Sequence, residues 1–567
     1  MIDTVYRLGW TSLTREFSVK ALESNSFEDE KVQSTKRILY VANMTELSFF
    51  TQWASSSSIS VRLLPDFMSV KDFVKLEPGL LAIHPDEKFL VPGGRFNEIY
   101  GWDSFFIAKG LLASSRDDRD LQRLEHFNTA VSILKHLAYQ IATFGKVHNA
   151  NRSYFVNRSN PPFITSLILE IDSTVKDSTN LVFDEQVRGQ AIAAAVREID
   201  DFWLHPSKTD LRTGLTKYGN LAPLALCLAV EDGHYDSLFE SISSSRGIAP
   251  KDIVDRLKRG DWPEDDFQVW KIVADDLALR ESGHDTSERL VGCAASLCTA
   301  DLNCLIFKSM SDLHMLTGDK KWLKLAERRR SLVHKYLYDS SLGFFCDYDC
   351  DLQVRRNFLS PAGVVYPLWS GIAECLHTRR KLRDTLVIYL EQRGGIVGST
   401  LIDGLNGPRR QWDWPFGWAP HQMLAWEGLR RCGFDGDARR ICYRWVSLLT
   451  KYYALYQCLP EKLDVVNEDW QLDRGDNVEY GTQCNDAGQF FGWTCASLAV
   501  AHGSQFISSD DTILLNTPIG DSIEQQLNIL DTIMKHSVYA GSEEMTWSTM
   551  ASARASAHTT PTDELFS

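Results

Sequence analysis

The residues with chemical reach are concentrated in six short segments dense in Gly, Pro, Trp and charge. They are PGGRFNEIYGWDSFF (92–106), HNANRSYFVNRSNPPF (148–163), RESGHD (280–285), RRQWDWPFGWAPHQ (409–422), PEKLD (460–464) and VEYG (478–481). The candidate catalytic carboxyl groups in them are Asp103, Asp285, Asp413, Glu461 and Glu479, set among Arg, Asn and Trp with few His. That selection suits hydrogen bonding to many hydroxyls and stacking on the apolar faces of sugar rings; it suits metal ligation or phosphate cradling poorly. Cleaving a glycosidic bond with water needs two carboxyl groups in unlike surroundings. One stays protonated to donate to the leaving oxygen, and the other stays ionised to take a proton from water. Asp285 is the favoured donor, because it ends a Ser282-Gly283-His284 turn whose glycine permits an unusual backbone. Taken singly, each of the five carboxyls is more commonly a structural hydrogen-bonder than a catalyst.

These segments interrupt a chain whose dominant signal from about 100 to 505 is helical period. Phe127, Val131, Leu134, Ala138 and Ile141 recur on one helix face, as do Trp322, Leu325, Ala326, Leu332, Val333 and Tyr336 after Asp319 as an N-cap. Further helices are expected near 185–203, 296–317, 363–392, 420–432 and 436–455, joined in pairs by short turns such as LTGDKKW and CGFDGDARR. Consecutive antiparallel pairs of this number predict a closed double ring of helices or an irregular helical solenoid, which periodicity alone does not separate. Loops at helix ends are where such a scaffold displays its chemistry. Residues 1 to about 85 read as irregular, an arm lying on the main domain. After about 505 one amphipathic helix carrying Ile523, Leu527, Leu530 and Met534 is expected, then a tail.

Composition narrows the classes. A net charge of -15 argues against nucleic acid and anionic membranes as partners, since both repel an acidic surface. No stretch is apolar enough for a membrane span and the first residues lack the apolar core of a signal peptide, so the expected compartment is the cytosol. The 12 Cys show no CxxC pair and read as thiols in a reducing compartment. DYDCD (347–351) opens like a calcium loop but lacks the Gly at the sixth position and the Glu at the twelfth, which makes it structural. The run Glu327-Arg328-Arg329-Arg330 reads as a solvated helix face.

The six segments, in order and with suitable gaps, resemble the trehalase family. PGGRFNEIYGWDS is similar to one signature of that family and QWDWPFGWAP to the other. NRSYF and RSNPP followed by ESGHD lie between them, with PEKLD and EYG after them. The resemblance covers roughly residues 75 to 500, and VPGGRFNEIYGWDS and RESGHD are most similar to the cytosolic neutral trehalases of fungi. It implies an all-α fold, an (α/α)6 toroid, and inverting hydrolysis of the disaccharide α,α-trehalose to two glucose molecules, with no cofactor and no metal. The implied organisation is an arm over 1–85, a catalytic domain over 86–505, and a C-terminal helix and tail over 506–567. Carried over by position, Asp285 is the implied general acid and Glu461 the implied general base. The implied substrate contacts are Arg95, Trp102, Asp103, Asn149, Arg158, Arg280, Trp412, Asp413 and Glu479, with Glu479 holding substrate rather than abstracting a proton.

Three guanidiniums near a carboxyl favour its ionised form, the opposite of what an acid needs. The expectation is that apolar walls such as Trp412 or Trp418 shield Asp285, with Arg95 and Arg158 nearer the base. The chain departs from the family at Leu463, where relatives carry Tyr, and at Asn160, where they carry Gln. It departs also at Leu228-Ala229, where many carry a Pro-Glu pair serving the leaving-glucose site and only Glu231 stands near. Two other readings are open at this point: an inverting glucosidase for a different α-glucoside, or a catalytically poor homologue that binds sugar.

Overall fold

The computed structural model describes residues 2–23, 37–65, 72, 76–116, 122–178, 180–219, 221, 224, 233–402, 409–467, 486–503 and 506. The expected C-terminal helix after 506, together with Glu479, Glu231, Leu228 and Ala229, lies outside the described residues.

Described helices of ten residues or more are, in chain order, α1 (Ile2–Leu13), α2 (Met44–Trp53), α3 (Gly101–Ser115), α4 (Arg123–Phe144), α5 (Ile164–Lys176), α6 (Glu185–Arg197), α7 (Pro250–Arg259), α8 (Phe267–Glu281), α9 (Ala300–Thr317), α10 (Lys320–Tyr336), α11 (Pro361–Ser370), α12 (Leu376–Thr385), α13 (Ala419–Arg431), α14 (Asp435–Tyr456) and α15 (Gly492–Gly503). Six of them, α3, α5, α9, α11, α13 and α15, pack each against the next and the last against the first. This closed inner ring is sheathed by α4, α6, α10, α12 and α14, and by α1, which lies on α15. The architecture is an (α/α)6 toroid, and its outer ring is completed by the first helix of the chain packing on the last helix described.

The two rings differ in sequence for a physical reason. An outer helix has one wet face, so its apolar residues recur with the helical period. In α4, Phe127, Leu134, Ala138 and Ile141 are buried while Arg123 and Glu125 are not. In α10 the Asp319 carboxylate accepts the Lys321 N–H as an N-cap, and Trp322, Ala326 and Val333 are buried. An inner helix has no wet face: every residue of α3 is buried. Its one basic residue is paired: Lys109 Nζ lies 2.6 Å from Glu170 and 2.5 Å from Glu427 across three inner helices.

Four expectations need correction. Residues 1–85 are not irregular. They hold α1, α2 and a three-stranded parallel sheet with Ile38–Val41 between Ser60–Leu63 and Leu80–Leu81. The helix expected over 363–392 is two helices, because Gly371 (φ 78°) ends α11 in a left-handed turn before α12 begins. The run Glu327–Arg330 is not wholly solvated: Arg329 is buried and donates to Thr216 Oγ1 (3.1 Å) and Asn303 Oδ1 (2.6 Å). The 92–106 segment is not loop throughout, since α3 starts at Gly101 and carries Trp102 and Asp103 in its first turn. DYDCD is structural as read: Asp347 accepts from Arg289, and Asp349 accepts two backbone N–H groups of its own turn.

Candidate active site

The segments that lead into the inner helices meet at one end of the ring. Residues 92–100 enter α3, 148–163 enter α5, 409–418 enter α13, and the chain around Glu461 and Phe491 enters α15. Between them is a cavity of about 310 Å³, within the range of small-molecule sites. Of the residues singled out in the sequence, Asp285, Glu461, Arg95, Trp102, Asp103, Asn149, Arg158, Arg280 and Trp412 line it. Asp413 does not.

The walls are built by hydrogen bonds that fix backbone. The Lys462–Asp464 strand pairs with Phe416–Trp418, bringing Trp418 opposite Lys462, so the Glu461 segment and the 409–418 loop form one unit. Leu463 fits there as a buried residue against Gly417. The Trp493 indole donates to the Glu461 carbonyl (3.0 Å) and the Trp418 indole to the Gln411 carbonyl (2.8 Å). Trp412 and Trp418 stack at 3.8 Å between centroids, and Trp102 packs on Trp412 at 5.4 Å and on Trp493 at 5.9 Å. The result is a rigid aromatic floor whose indole N–H groups at 418 and 493 are spent on the chain that bears the chemistry.

Asn160, where relatives carry Gln, has a local task. Its Oδ1 accepts the Trp102 N–H at 2.9 Å in the first turn of α3, satisfying a donor that a helix start leaves open. Asn149 is held by its N–H to the Arg158 carbonyl (2.9 Å), and its own carbonyl accepts from Gly101 (3.3 Å). Gly283 lies at φ 76°, and a Cβ there would stand 2.7 Å from Trp102 Cζ2. The glycine of ESGHD thus serves both a left-handed backbone and a close approach to the floor. Asp413 stands behind the wall. Its carboxylate accepts from Ser287 Oγ and the Glu288 N–H, each at 2.7 Å, and so ties the 409–418 loop to the chain just after Asp285. Burial pushes its carboxyl up to about 6.

The electrostatics centre on three carboxyls. Burial raises Asp103 well above the usual carboxyl range, and the neighbouring Glu461 and Asp285 raise it further. Burial also raises Asp285, against the pull of Arg280 and Arg158. Glu461 is raised by burial and by Asp285, against Lys462 and Arg95. Arg280 Nη1 donates to Asp285 Oδ2 at 3.1 Å. Lys462 Nζ is 3.6 Å from Glu461 Oε2, a buried oxygen with no hydrogen-bond partner among the described residues. Of the expected arrangement of guanidiniums, Arg95 acts on the base side. Arg158 does not: it bears on Asp285 and Asp276 instead. Its segment reaches the cavity by way of the α3–α5 junction, a placement that sequence order does not disclose.

Sequence reasoning passed over Gln411, whose amide donates to the Asp285 carbonyl and whose Oε1 accepts from Lys462 Nζ at 3.2 Å. That bridge joins the Asp285 backbone to the lysine beside Glu461. It passed over Trp493, Tyr154, Phe155 and His234 as well, all in the lining. Gln411 and the Tyr154-Phe155 pair lie inside the motifs quoted above, so their signal was present but carried no chemistry by residue type. Trp493 and His234 lie outside every motif.

The chain matches the Trehalase family model over residues 3–501. The chain belongs to the trehalase family. It is 32% identical over 544 residues to the cytosolic neutral trehalase of Kluyveromyces lactis, covering 86% of this chain and 69% of that one. It is 31% identical over 541 residues to the cytosolic neutral trehalase of Saccharomyces cerevisiae, covering 86% and 69%. Among solved structures it is similar to the neutral trehalase Nth1 of Saccharomyces cerevisiae, with a TM-score of 0.76 at 26% identity over 98% of this chain and 99% of that one. The trehalase assignment accounts for the toroid and for a cavity at the helix N-termini lined by Arg, Asn, Trp and paired carboxyls. No described helix is long and apolar enough to cross a membrane, and the described cysteines are all thiols.

Proposed function

We propose that this trehalase hydrolyses α,α-trehalose to two glucose molecules with inversion at the attacked carbon, in the cytosol, with Asp285 as general acid and Glu461 as general base. The observation that carries the reading is that both side chains line one cavity of about 310 Å³, each raised by its burial. Asp285 donates its proton to the glycosidic oxygen as the C–O bond breaks. Glu461 takes a proton from the water that attacks the anomeric carbon from the opposite face. Lys462, 3.6 Å from Glu461 Oε2, favours the ionised form that takes a proton from that water. Trp102, Trp412, Trp418 and Trp493 exclude bulk solvent and offer faces for sugar rings, while Arg95, Asn149, Arg158 and Arg280 supply donors to hydroxyls. Asp103, raised by burial and by the neighbouring carboxyls, binds a sugar hydroxyl.

Proton NMR of the protein with trehalose tests this. Early time points should show β-glucose and α-glucose in equal amounts before mutarotation mixes them. An α-only burst would overturn the inverting mechanism, and no glucose at all would overturn the hydrolase reading.

A further inference from the structure

Arg280 presents a difficulty for the acid. A guanidinium that donates to Asp285 Oδ2 at 3.1 Å should strip the carboxyl of its proton, yet the reaction proposed above needs that proton in place. The resolution is behind Arg280. One turn earlier on α8, Asp276 Oδ1 accepts from Arg280 Nε at 3.2 Å, and Asp276 Oδ2 is 2.8 Å from His234 Nε2. Asp276 is buried, its side chain 6% exposed, whereas the Asp285 side chain is 36% exposed and opens to the cavity. His234, Asp276, Arg280 and Asp285 thus form one chain of polar contacts running from the segment before α7, through α8, to the proposed acid.

We propose that Asp276 is a positioning residue for the general acid: by engaging Arg280 Nε it fixes the guanidinium and offsets its charge, so that Asp285 accepts a hydrogen bond on Oδ2 while its other oxygen keeps the proton it must donate. The idea rests on the roles assigned to Asp285 and Glu461 above. Four features support it. The pair Asp276 and Arg280 sits at i and i+4 on one helix face, where the two side chains meet. Asp276 engages Arg280 through Nε while Asp285 engages Nη1, and Asp276 is not among the residues that line the cavity. The Asp276 carboxyl is held below its usual range, against burial, chiefly by Arg280 and His234, so it is the ionised partner that the guanidinium requires. A like charge behind the arginine also raises Asp285 directly. The other charged groups facing this cluster are Arg158, which bears on both aspartates, and Asp103 and Glu461 across the cavity. Arg158 lowers both carboxyls, whereas Asp103 and Glu461 interact with Asp285; Asp276 is the carboxylate seated on Arg280 Nε.

The test is the pH profile of kcat/KM for trehalose in the full-length protein. Asp276→Asn keeps the shape and an acceptor for Arg280 but removes the charge. Its basic limb should fall by about one pH unit relative to wild type, while the rate on the acid side of the new limb stays within about threefold. At a pH above both limbs that is about a tenfold loss. A uniform loss at every pH with the limb unmoved would overturn the proposal, because a merely structural role scales the whole profile. Arg280→Gln carries the test if Asp276→Asn does not give folded protein: the limb should then move to higher pH, and an unmoved or lowered limb would equally overturn it. In the Arg280→Gln background, Asp276→Asn should shift the limb by less than half its effect in wild type; an undiminished shift would show that Asp276 does not act through Arg280. Failure of the underlying assignment is distinguishable, since Asp285→Asn would then keep wild-type turnover whatever the profiles of the other variants.

Discussion

Gly283→Ala isolates what the acid-bearing turn requires. The substitution has two separable costs. The residue sits at φ 76°, where an L side chain costs roughly 1–2 kcal/mol. The new Cβ would also stand 2.7, 2.8 and 3.2 Å from three atoms of the Trp102 indole, against the 3.4 Å at which ordinary contact begins. Relief requires a displacement of 0.7 Å, the difference between 3.4 and 2.7 Å, in either the turn or the indole. Trp102 has no room to yield, being packed on Trp412, Trp493 and His284 and tied through its N–H to Asn160. The turn therefore moves, and Asp285 moves with it.

Overpacking of this kind costs about 1–3 kcal/mol beyond the backbone term, so a total destabilisation of about 2–5 kcal/mol is expected. A misplacement approaching 1 Å at the reacting groups lowers kcat/KM by on the order of 100-fold. Gly145→Ala is the matched control. Gly145 ends α4 at φ 83°, and its nearest outside neighbour is Arg197 Nη2 at 3.9 Å, so alanine there incurs the backbone cost alone. Thermal melts with trehalase assays on both variants should show Gly145→Ala losing about 1 kcal/mol with unchanged kcat/KM. If Gly283→Ala kept kcat/KM within threefold of wild type and melted with Gly145→Ala, the account of the turn as a strained support for Asp285 would be refuted.

Three further outcomes follow from the geometry. Asp285→Asn and Glu461→Gln should each lower kcat by about 10²–10⁴-fold with a much smaller change in KM, measured as glucose release, because each removes a proton transfer rather than a binding contact. Asn160→Ala should lower stability by about 1–2 kcal/mol in thermal melts, since the buried Trp102 N–H loses its acceptor, and an unchanged melting point would contradict that capping role. Asp413, raised in the folded chain from an ordinary value of 3.8 to about 6, binds its proton more tightly folded than unfolded. Its contribution is thus full below about pH 4 and is lost as pH rises through 6. The melting temperature of wild type minus that of Asp413→Asn should decline across that window and be flat above it.

How far the molecule was legible in its sequence depended on which face of each element meets water. The outer helices α4, α10 and α14 have one wet face, so their period survived in the residues and their places were readable. The inner helix α3 has none, and with every residue buried it left no period to find. Its start was read as part of a loop because the motif that opens it is rich in Gly and Trp. The same reasoning explains the sheet at Ile38–Val41: four consecutive buried residues carry no alternation, and a short apolar run does not declare itself a strand. Within the site, residue type disclosed the carboxyls and guanidiniums but not their pairing. Asp413 and Gln411 lie two apart in one motif, and by type the aspartate is the better sugar ligand. Yet the turn after Trp412 points Asp413 back to Ser287 and Glu288, while Gln411 faces the cavity and links Asp285 to Lys462. Arg158 and Arg280 converge on Asp285 from segments more than a hundred residues apart, and the carboxylate that offsets Arg280 lies in α8 one turn before the RESGHD motif begins. Motifs therefore mark the groups that touch substrate, whereas the proton inventory of the site is set by buried partners one contact further out. Those partners are invisible until the ring closes around them, because their chemistry exists only through burial and through neighbours that other segments supply.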